Sequence, residues 1–158
     1  MATPVPASIA PDADKAGQRR DAFVQAMRRL AATVTLVTAG TEDEPVGMAA
    51  TAVSSITADP PMLMVAVNRN SRMFPTVVTS RQFCVNLLAA HHAPLVAVFG
   101  GKVRGRDRFL HGDWIHRPGA PPILADAAAS LVCAMVDELD VGTHRLLIGE
   151  VQSLRCAE

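Results

Sequence analysis

The residues best suited to hold a ligand lie in a run of small side chains from Gly47 to Ser55. Small residues let a flat ligand approach the backbone, and the hydroxyls of Thr51, Ser54 and Ser55 could hydrogen-bond to its polar edge. A strand of small residues that packs beneath a helix has the same composition. Since ligand pockets are few in any protein, composition alone favours the packed strand over the pocket.

A second candidate is the segment Asn68-Arg69-Asn70-Ser71-Arg72, which follows the apolar run from Met62 to Val67. The Ser71 hydroxyl, the amides of a helix start and the Arg72 guanidinium converge in this segment, and that combination suits a phosphate group. A solvated turn that caps a helix explains these residues equally well, because surface loops are commonly built this way. The sequence leaves both interpretations open.

Histidines supply a third group of candidates. His144 ends a turn between two strand-like segments, where a lone histidine is usually only exposed. Nearby lie the acidic residues Asp137, Glu138 and Asp140. Their pattern is more typical of a solubilising sheet edge than of a general-base pair. His91 and His92 are adjacent, so on a helix their side chains point about 100° apart and are poorly placed to share one metal ion.

Motifs of several enzyme classes are absent from the chain. The sequence contains no Gly-x-Ser-x-Gly, no His-Glu-x-x-His, no P-loop and no Rossmann glycine fingerprint. A separate dinucleotide-binding domain of the Rossmann type is therefore excluded. The cysteines Cys84, Cys133 and Cys156 are widely spaced and lie in apolar stretches. We predict buried thiols there, not a disulfide framework or a zinc site.

Composition limits the class of protein further. With 158 residues, of which 49% are hydrophobic and 19% charged, the chain is long enough to form one domain with a core. The 15 basic and 15 acidic residues cancel, so no net charge attracts nucleic acid or an acidic membrane. The first 18 residues have no basic start and no apolar core. We predict a loose tail over 1–18, a domain over 19–158 and a cytoplasmic location.

The hydrophobic pattern predicts about six strands and two or three short helices. Helices are predicted over 20–30, 71–80 and 93–99, and strands over 33–38, 46–56, 62–67, 83–88, 130–139 and 145–154. This order never settles into alternating strand and helix units, which favours a mostly antiparallel barrel. Residues 102–122, which include Arg104, Arg106 and Arg108, form a long predicted loop. Loops of this length are more often functional than idle.

Six segments of the chain follow one another in a characteristic order. They are 31–38, 47–55, 59–61, 67–72, 83–88, and 142–144 with 148–151. Taken together, their order and spacing resemble the short-chain flavin reductase family, the small reductase components of two-component flavin-dependent monooxygenases.

The resemblance implies a mostly β fold with short helices: an antiparallel, Greek-key, FMN-binding split β-barrel that forms a homodimer, with the flavin lying partly across the interface. It implies an NAD(P)H:flavin oxidoreductase that transfers hydride from NADH to FMN or FAD. Reduced flavin would then pass to a partner oxygenase. NADPH remains possible in place of NADH. The alternative function is a non-catalytic flavin-binding module for storage or sensing.

Carried over by position, the resemblance also implies site residues. The isoalloxazine and ribityl chain would lie along Ala49, Ala50, Thr51, Ala52, Ser54 and Ser55, and the phosphate side along Asn68, Ser71 and Arg72. Asn86 would add a polar contact, and His144 matches the catalytic histidine that the family places near the nicotinamide. Two positions depart from the family pattern, because Ala49 replaces a threonine and Thr143 replaces an aspartate.

Overall fold

The computed structural model describes residues 13–157, which divide into two units at the junction of Ala32 and Thr33. The first unit contains helix α1, Ala13–Met27, whose side chains from residue 15 onward are exposed. The helix predicted over 20–30 is confirmed, although it begins and ends earlier than predicted. Of the residues predicted as a tail, 1–12 lie outside the described residues and 13–18 belong to α1.

The second unit, over residues 33–157, is built mainly from strands. The strands are β1 Thr35–Ala39, β2 Val46–Ala50, β3 Val53–Ala58, β4 Pro61–Asn68, β5 Gln82–Leu87, β6 Trp114–Ile115, β7 Ile123–Leu124, β8 Ala129–Val141 and β9 His144–Cys156. The helices are α2 Met73–Ser80 and α3 Ala93–Ala97, with 3-10 turns at Ala90–His92 and Gly105–Leu110 and a π-helical turn at Val98–Lys102. None of the helices within residues 13–157 is long and apolar enough to cross a membrane.

Seven of the strands form one antiparallel sheet in the order β2-β1-β5-β8-β9-β4-β3, and β6 pairs separately with β7. Neighbours such as β1 with β5, or β4 with β9, are far apart in sequence, as in a Greek-key arrangement. The predicted mostly β, antiparallel fold is confirmed.

The two edge strands of this sheet, β2 and β3, are separated in sequence only by Thr51 and Ala52. The single strand predicted over 46–56 is therefore wrong, because the chain breaks at these two residues and changes edge. Three steps between neighbouring Cα atoms span at most about 11 Å. The sheet must curl until its edges approach, and the Ala66 amide donates a hydrogen bond to the Ala52 carbonyl at 3.0 Å near this junction.

Alternate residues of the curled sheet fill the core. In β4, the side chains of Leu63, Val65 and Val67 are buried, whereas the apolar residues between them are half-buried. One face of this apolar run therefore meets the core, and the other is partly exposed. Met73 and Val77 of α2 pack into the same cluster.

The Asn86 side chain connects three strands inside the core. It is fully buried, and its Nδ2 donates a hydrogen bond to the Leu36 carbonyl of β1 at 3.1 Å. Its Oδ1 accepts hydrogen bonds from the Leu124 amide of β7 and the Ser130 hydroxyl of β8, each at 2.9 Å. One amide group therefore satisfies polar groups from three separate strands.

Replacing Asn86 with alanine should lower the free energy of unfolding by roughly 3 kcal/mol or more. The Leu124 amide and the Ser130 hydroxyl would stay buried without the oxygen that accepts their hydrogen bonds, and each such group costs about 1–3 kcal/mol. Urea unfolding followed by circular dichroism measures the loss. The matched control is Asn70→Ala, at an exposed asparagine, which should change stability by no more than about 0.5 kcal/mol. Equal losses in the two variants would contradict the structural role of Asn86.

Candidate functional site

A surface cleft of about 490 Å³ lies between β2, the turn before α2 and the segment that follows α3. Its lining residues are Pro45, Val46, Gly47, Met48, Ala49, Ser71, Arg72, Met73, Phe99, Gly100, Gly101, Arg104, Gly105 and Arg108. Of the residues predicted to bind a ligand, the cleft brings together Ala49, Ser71 and Arg72.

The wall of the cleft opposite the α2 turn is held against β2 at Gly47. A Cβ atom at this position would lie 2.7 Å from Cε1 of Phe99, so only glycine permits the close approach. Phe99 packs edge-on against Phe109 with ring centroids 5.3 Å apart, and Trp114 contacts both rings. Arg108 Nη1 also donates a hydrogen bond to the Gly47 carbonyl at 2.6 Å. Aromatic packing and this hydrogen bond together fix the wall.

Three arginines line the cleft without carboxylate partners. Among residues 13–157, no aspartate or glutamate forms an ion pair with Arg72, Arg104 or Arg108. Burial, and then the positive charge of Arg72, lower the pKa of Arg108 below its ordinary value. A Cβ atom added to Gly105 would lie 3.9 Å from Nη1 of Arg72, so the two walls come close together here. The uncompensated positive charge of this cleft suits an anionic ligand.

The Ser71 Oγ is buried and has no hydrogen-bond partner among the residues that the structure describes. Asn68 shapes the turn that presents it, because the Asn68 Oδ1 accepts from the Asn70 amide and the Asn68 carbonyl accepts from the Ser71 amide, each at 2.9 Å. The predicted capping of α2 by Ser71 is wrong, since Arg72 is the N-cap residue and makes no side-chain capping bond. A free hydroxyl beside three arginines suits a phosphate oxygen.

Sequence reasoning assigns no ligand to Arg104 and Arg108, although it marks 102–122 as a functional loop. The available signal is the alternation of arginines at 104, 106 and 108 beside several glycines. This alternation does not show which arginines face the cleft. Arg106 is not part of the cleft lining, and its Nη1 donates a hydrogen bond to the Asp43 carbonyl at 3.3 Å. Gly101, with φ of +121°, allows the chain to turn back along the cleft after the π-helical turn.

The rest of the small-residue run does not line the cleft. Ala50 is buried in the core. The exposed members of the run are Thr51, Ala52, Ser54 and Ser55, which lie between the two edge strands or on β3. Within one chain these four residues are exposed and do not surround a bound group, and the Ser54 hydroxyl donates a hydrogen bond to the Ser55 carbonyl at 3.2 Å.

Asn86 and Asn68 are also absent from the cleft lining. The amide of Asn86 is fully buried and its hydrogen bonds are made within the core, so its placement does not support the predicted contact with a ligand. Asn68 is half-buried and acts on the turn that carries Ser71.

His144 lies on the hairpin turn between β8 and β9, outside the cleft lining. It is exposed, and its Nδ1 lies 2.9 Å from the Thr143 hydroxyl oxygen. In the β4–β9 ladder His144 is paired with Asn68. The hairpin turn is thus adjacent to the turn that presents Ser71. The predicted nicotinamide residue His144 and the predicted phosphate segment therefore meet at this end of the β4–β9 ladder.

The acidic residues of this hairpin are partly neutralised. Arg145 donates two hydrogen bonds to Asp140, at 2.8 and 3.1 Å, and a third to Glu138 at 2.7 Å. The hydrogen bonds from Arg145 hold the pKa of Asp140 below its usual value. Asp140 and Glu138 are therefore structural partners of an arginine and not a general-base pair.

His91 and His92, predicted to diverge, converge on Asp126. Their Nε2 atoms lie 2.9 and 2.8 Å from its two carboxylate oxygens. Because the His92 Nδ1 accepts a hydrogen bond from the Ala89 amide at 3.1 Å, its Nε2 carries the proton and donates to Asp126. A metal ion on that Nε2 would place a proton on Nδ1, directly against the amide. The group is therefore a hydrogen-bonded cluster and we assign no metal to it.

Two of the three cysteines are buried, as predicted. Desolvation raises the pKa of the Cys84 and Cys133 thiols to about 12, so both stay protonated and unreactive. The prediction is wrong for Cys156, which is exposed near the end of β9.

The family model described as "Flavin reductase like domain" matches residues 27–158 of this chain. The chain is 40% identical over 150 residues to "FMN reductase (NADH) RutF 2" of Rhizobium rhizogenes, covering 95% of this chain and 84% of that protein. It is 39% identical over 136 residues to "FMN reductase (NADH) RutF" of Acinetobacter baylyi, covering 86% of this chain and 72% of that protein.

Solved structures show the same fold. A candidate flavin reductase from Haemophilus somnus superimposes with a TM-score of 0.82 at 32% identity, covering 87% of this chain and 88% of that one. Nitrilotriacetate monooxygenase component B from Mycobacterium thermoresistibile superimposes with a TM-score of 0.81 at 27% identity, covering 90% of this chain and 78% of that one. The NADH:FAD oxidoreductase SgcE6 of Streptomyces globisporus, in complex with NAD and FAD fragments, superimposes with a TM-score of 0.77 at 28% identity. The match covers 95% of this chain and 87% of that one. The predicted split-barrel fold is confirmed.

Proposed function

The chain belongs to the family of flavin reductase like domains, and we propose that it transfers hydride from NADH to FMN or FAD. The observation that carries this proposal is the cleft in which the unpartnered Ser71 hydroxyl meets the uncompensated Arg72, Arg104 and Arg108. FMN and FAD both carry phosphate, and the relatives' names specify FMN and NADH.

The residues present fit a flavin at its phosphate end. Ser71, Arg72, Arg104 and Arg108 would hold the phosphate, with Asn68 maintaining the turn between them and β4. The ring and ribityl chain would run from Ala49 along the exposed small residues Thr51, Ala52, Ser54 and Ser55, and Ala50 is left out because its side chain is in the core. Asn86 is not included in this set, because its amide serves the core.

Bound flavin supplies the chemistry by accepting a hydride at its ring, and the protein binds and orients the reactants. No side chain needs to act as a general base for this step. His144 would orient the nicotinamide from its place beside Asn68, with its ring held by the Thr143 hydroxyl. The small residues leave room for the two ring systems to come together, which is the geometric requirement for direct transfer.

The proposed activity predicts oxidation of NADH that depends on added FMN or FAD, followed as the loss of the absorbance of reduced nicotinamide. NADPH serves as the competing donor and riboflavin as the acceptor that lacks a phosphate. We expect a lower KM for FMN than for riboflavin, because only FMN can engage the arginines. Tight flavin binding without any oxidation of NADH or NADPH would instead identify a storage or sensing module.

Replacing Arg72 with alanine should weaken FMN binding about 10- to 100-fold, equivalent to roughly 1.5–3 kcal/mol for a charge-assisted hydrogen bond. Titration of flavin fluorescence measures the dissociation constant. Arg117→Ala, at an exposed arginine outside the cleft lining, is the matched control and should bind FMN like the parent. Riboflavin affinity should be the same in all three proteins. An Arg72→Ala variant that binds FMN normally would place the phosphate elsewhere.

We also propose that the chain forms a two-fold homodimer through β3. This edge strand has five of its six residues exposed, among them Ile56 at 50%, and the half-buried outer face of β4 lies next to it. A second copy that covers β3 would enclose Ser54 and Ser55, which one chain leaves in solvent. The flavin would then lie partly across the interface.

Sedimentation should give a species of twice 16.7 kDa for the parent chain. Replacing Ile56 with arginine places a charge in the proposed apolar contact and should yield the monomer. Arg155→Ala, on β9, is the control and should remain dimeric. A parent chain that sediments as a monomer while it reduces flavin would contradict the dimer.

The proposed product, reduced flavin, requires a partner that consumes it. We propose a flavin-dependent oxygenase, on the basis of the similarity to nitrilotriacetate monooxygenase component B. We further propose that the reaction takes place in the cytoplasm, where NADH is available and where the exposed Cys156 would stay reduced.

A further inference from the structure

Arg69 holds the hairpin turn that carries His144. Its amide donates a hydrogen bond to the Thr143 carbonyl at 3.0 Å, and its Nη2 donates to the Gly142 carbonyl at 2.6 Å. Its Nη1 lies 3.6 Å from Oδ2 of Asp140. One residue therefore makes three contacts with a single turn.

The turn is tight, and the carbonyl groups of both its residues accept hydrogen bonds from Arg69. Gly142 and Thr143 are the two residues between the paired Val141 and His144, and Gly142 has a φ of +56°. In such a short loop the carbonyl oxygens have few donors within the loop itself. The two donors from Arg69 supply hydrogen bonds that fix where the turn sits relative to β4.

Arg69 is also part of the turn that presents the cleft hydroxyl. It lies between Asn68, which accepts the Asn70 and Ser71 amides, and the residues that line the cleft. The backbone of one short segment thus carries Ser71 and Arg72 on the cleft side and Arg69 on the hairpin side. This segment therefore fixes the position of the hairpin turn relative to the turn that carries Ser71 and Arg72.

We propose that Arg69 is a positioning residue that sets the place of His144 relative to the bound flavin, and thereby the binding of the hydride donor. This inference rests on the proposed function. Arg69 acts through the two backbone carbonyls of the turn, and Thr143 continues the chain of contacts through its hydroxyl, 2.9 Å from the His144 Nδ1.

The ion pair with Asp140 is not the main element of this arrangement. The side chains of Arg69 and Asp140 are 43% and 52% exposed, and ion pairs at such exposure contribute little. Asp140 is also engaged by Arg145 through two shorter hydrogen bonds, so it keeps a partner when Arg69 is removed. The guanidinium bond to the Gly142 carbonyl is the contact that a substitution of Arg69 removes without replacement.

The test uses Arg69→Met, His144→Ala and the double variant, with Arg155→Met as the control at an exposed arginine near the far end of β9. The first measurement is hydrogen–deuterium exchange of peptides spanning Val141 to His144, which does not depend on activity. The second is steady-state NADH oxidation with saturating FMN, together with the FMN dissociation constant.

We expect faster exchange in the turn of Arg69→Met and parent-like exchange in Arg155→Met. We also expect Arg69→Met and His144→Ala each to lower kcat/KM for NADH roughly 2- to 13-fold, the effect of losing one neutral orienting hydrogen bond. The FMN dissociation constant should stay within about 2-fold of the parent, because the phosphate contacts are retained. The double variant should be no worse than His144→Ala alone, since Arg69 acts through that residue.

Parent-like exchange in Arg69→Met would overturn the inference, as would unchanged kinetics or fully additive losses in the double variant. A parent chain that oxidises no NADH would overturn the proposed function, and with it the role of Arg69 in binding the hydride donor. The exchange measurement would then still decide whether Arg69 holds the turn. The two failures are distinguishable for that reason.

Discussion

The site depends on the two-residue link between β2 and β3. Thr51 and Ala52 must carry the chain from one edge of a seven-stranded sheet to the other, and the sheet can satisfy that constraint only by curling. Curling buries one face of β4 and fills the interior with side chains from six strands and α2. The same link sets β2 beside the cleft and leaves β3 exposed, so the candidate cleft and the proposed subunit contact lie on the two strands that these residues join.

The distribution of charge within residues 33–157 distinguishes the two ends of the site. At the hairpin, Arg145 donates hydrogen bonds to Asp140 and Glu138, and Arg69 also forms an ion pair with Asp140. In the cleft, the arginines have no such partners. A net charge of zero over the whole sequence conceals this asymmetry. The carboxylates are placed where structure has to be held, and the positive charge is left available where an anion would bind.

The sequence predicted the class of fold because strand patterns such as 62–67 and 83–88 are local and depend on neighbouring residues only. It did not predict the break at Thr51, because both halves of 46–56 favour extended backbone and the change of edge is decided by pairing with distant strands. Ser71 and Arg72 were predicted as phosphate ligands from the family resemblance, since the composition of their segment allowed a solvated turn equally well, and the structure places both in the cleft lining.

Arg104 and Arg108 were missed for a different reason. Their loop carries no periodic signal, and its approach to β2 depends on Gly47, about 60 residues earlier in the sequence, against which the Phe99 ring packs. Asn86 was predicted to contact a ligand, whereas the hydrogen bonds of its amide lie in the core; an asparagine in a strand looks the same in sequence in both cases. Only the positions of Leu36, Leu124 and Ser130 distinguish the two cases.

The cleft arginines have a consequence for the protein without ligand. Burial is the larger cause of the lowered pKa of Arg108, and repulsion from the like charge of Arg72 lowers it further. Folding therefore stores unfavourable electrostatic energy in this cleft, and an arriving dianion releases it. A phosphate-bearing ligand bound as proposed would therefore raise the melting temperature of the chain, and added salt, which screens the repulsion, would reduce the gain.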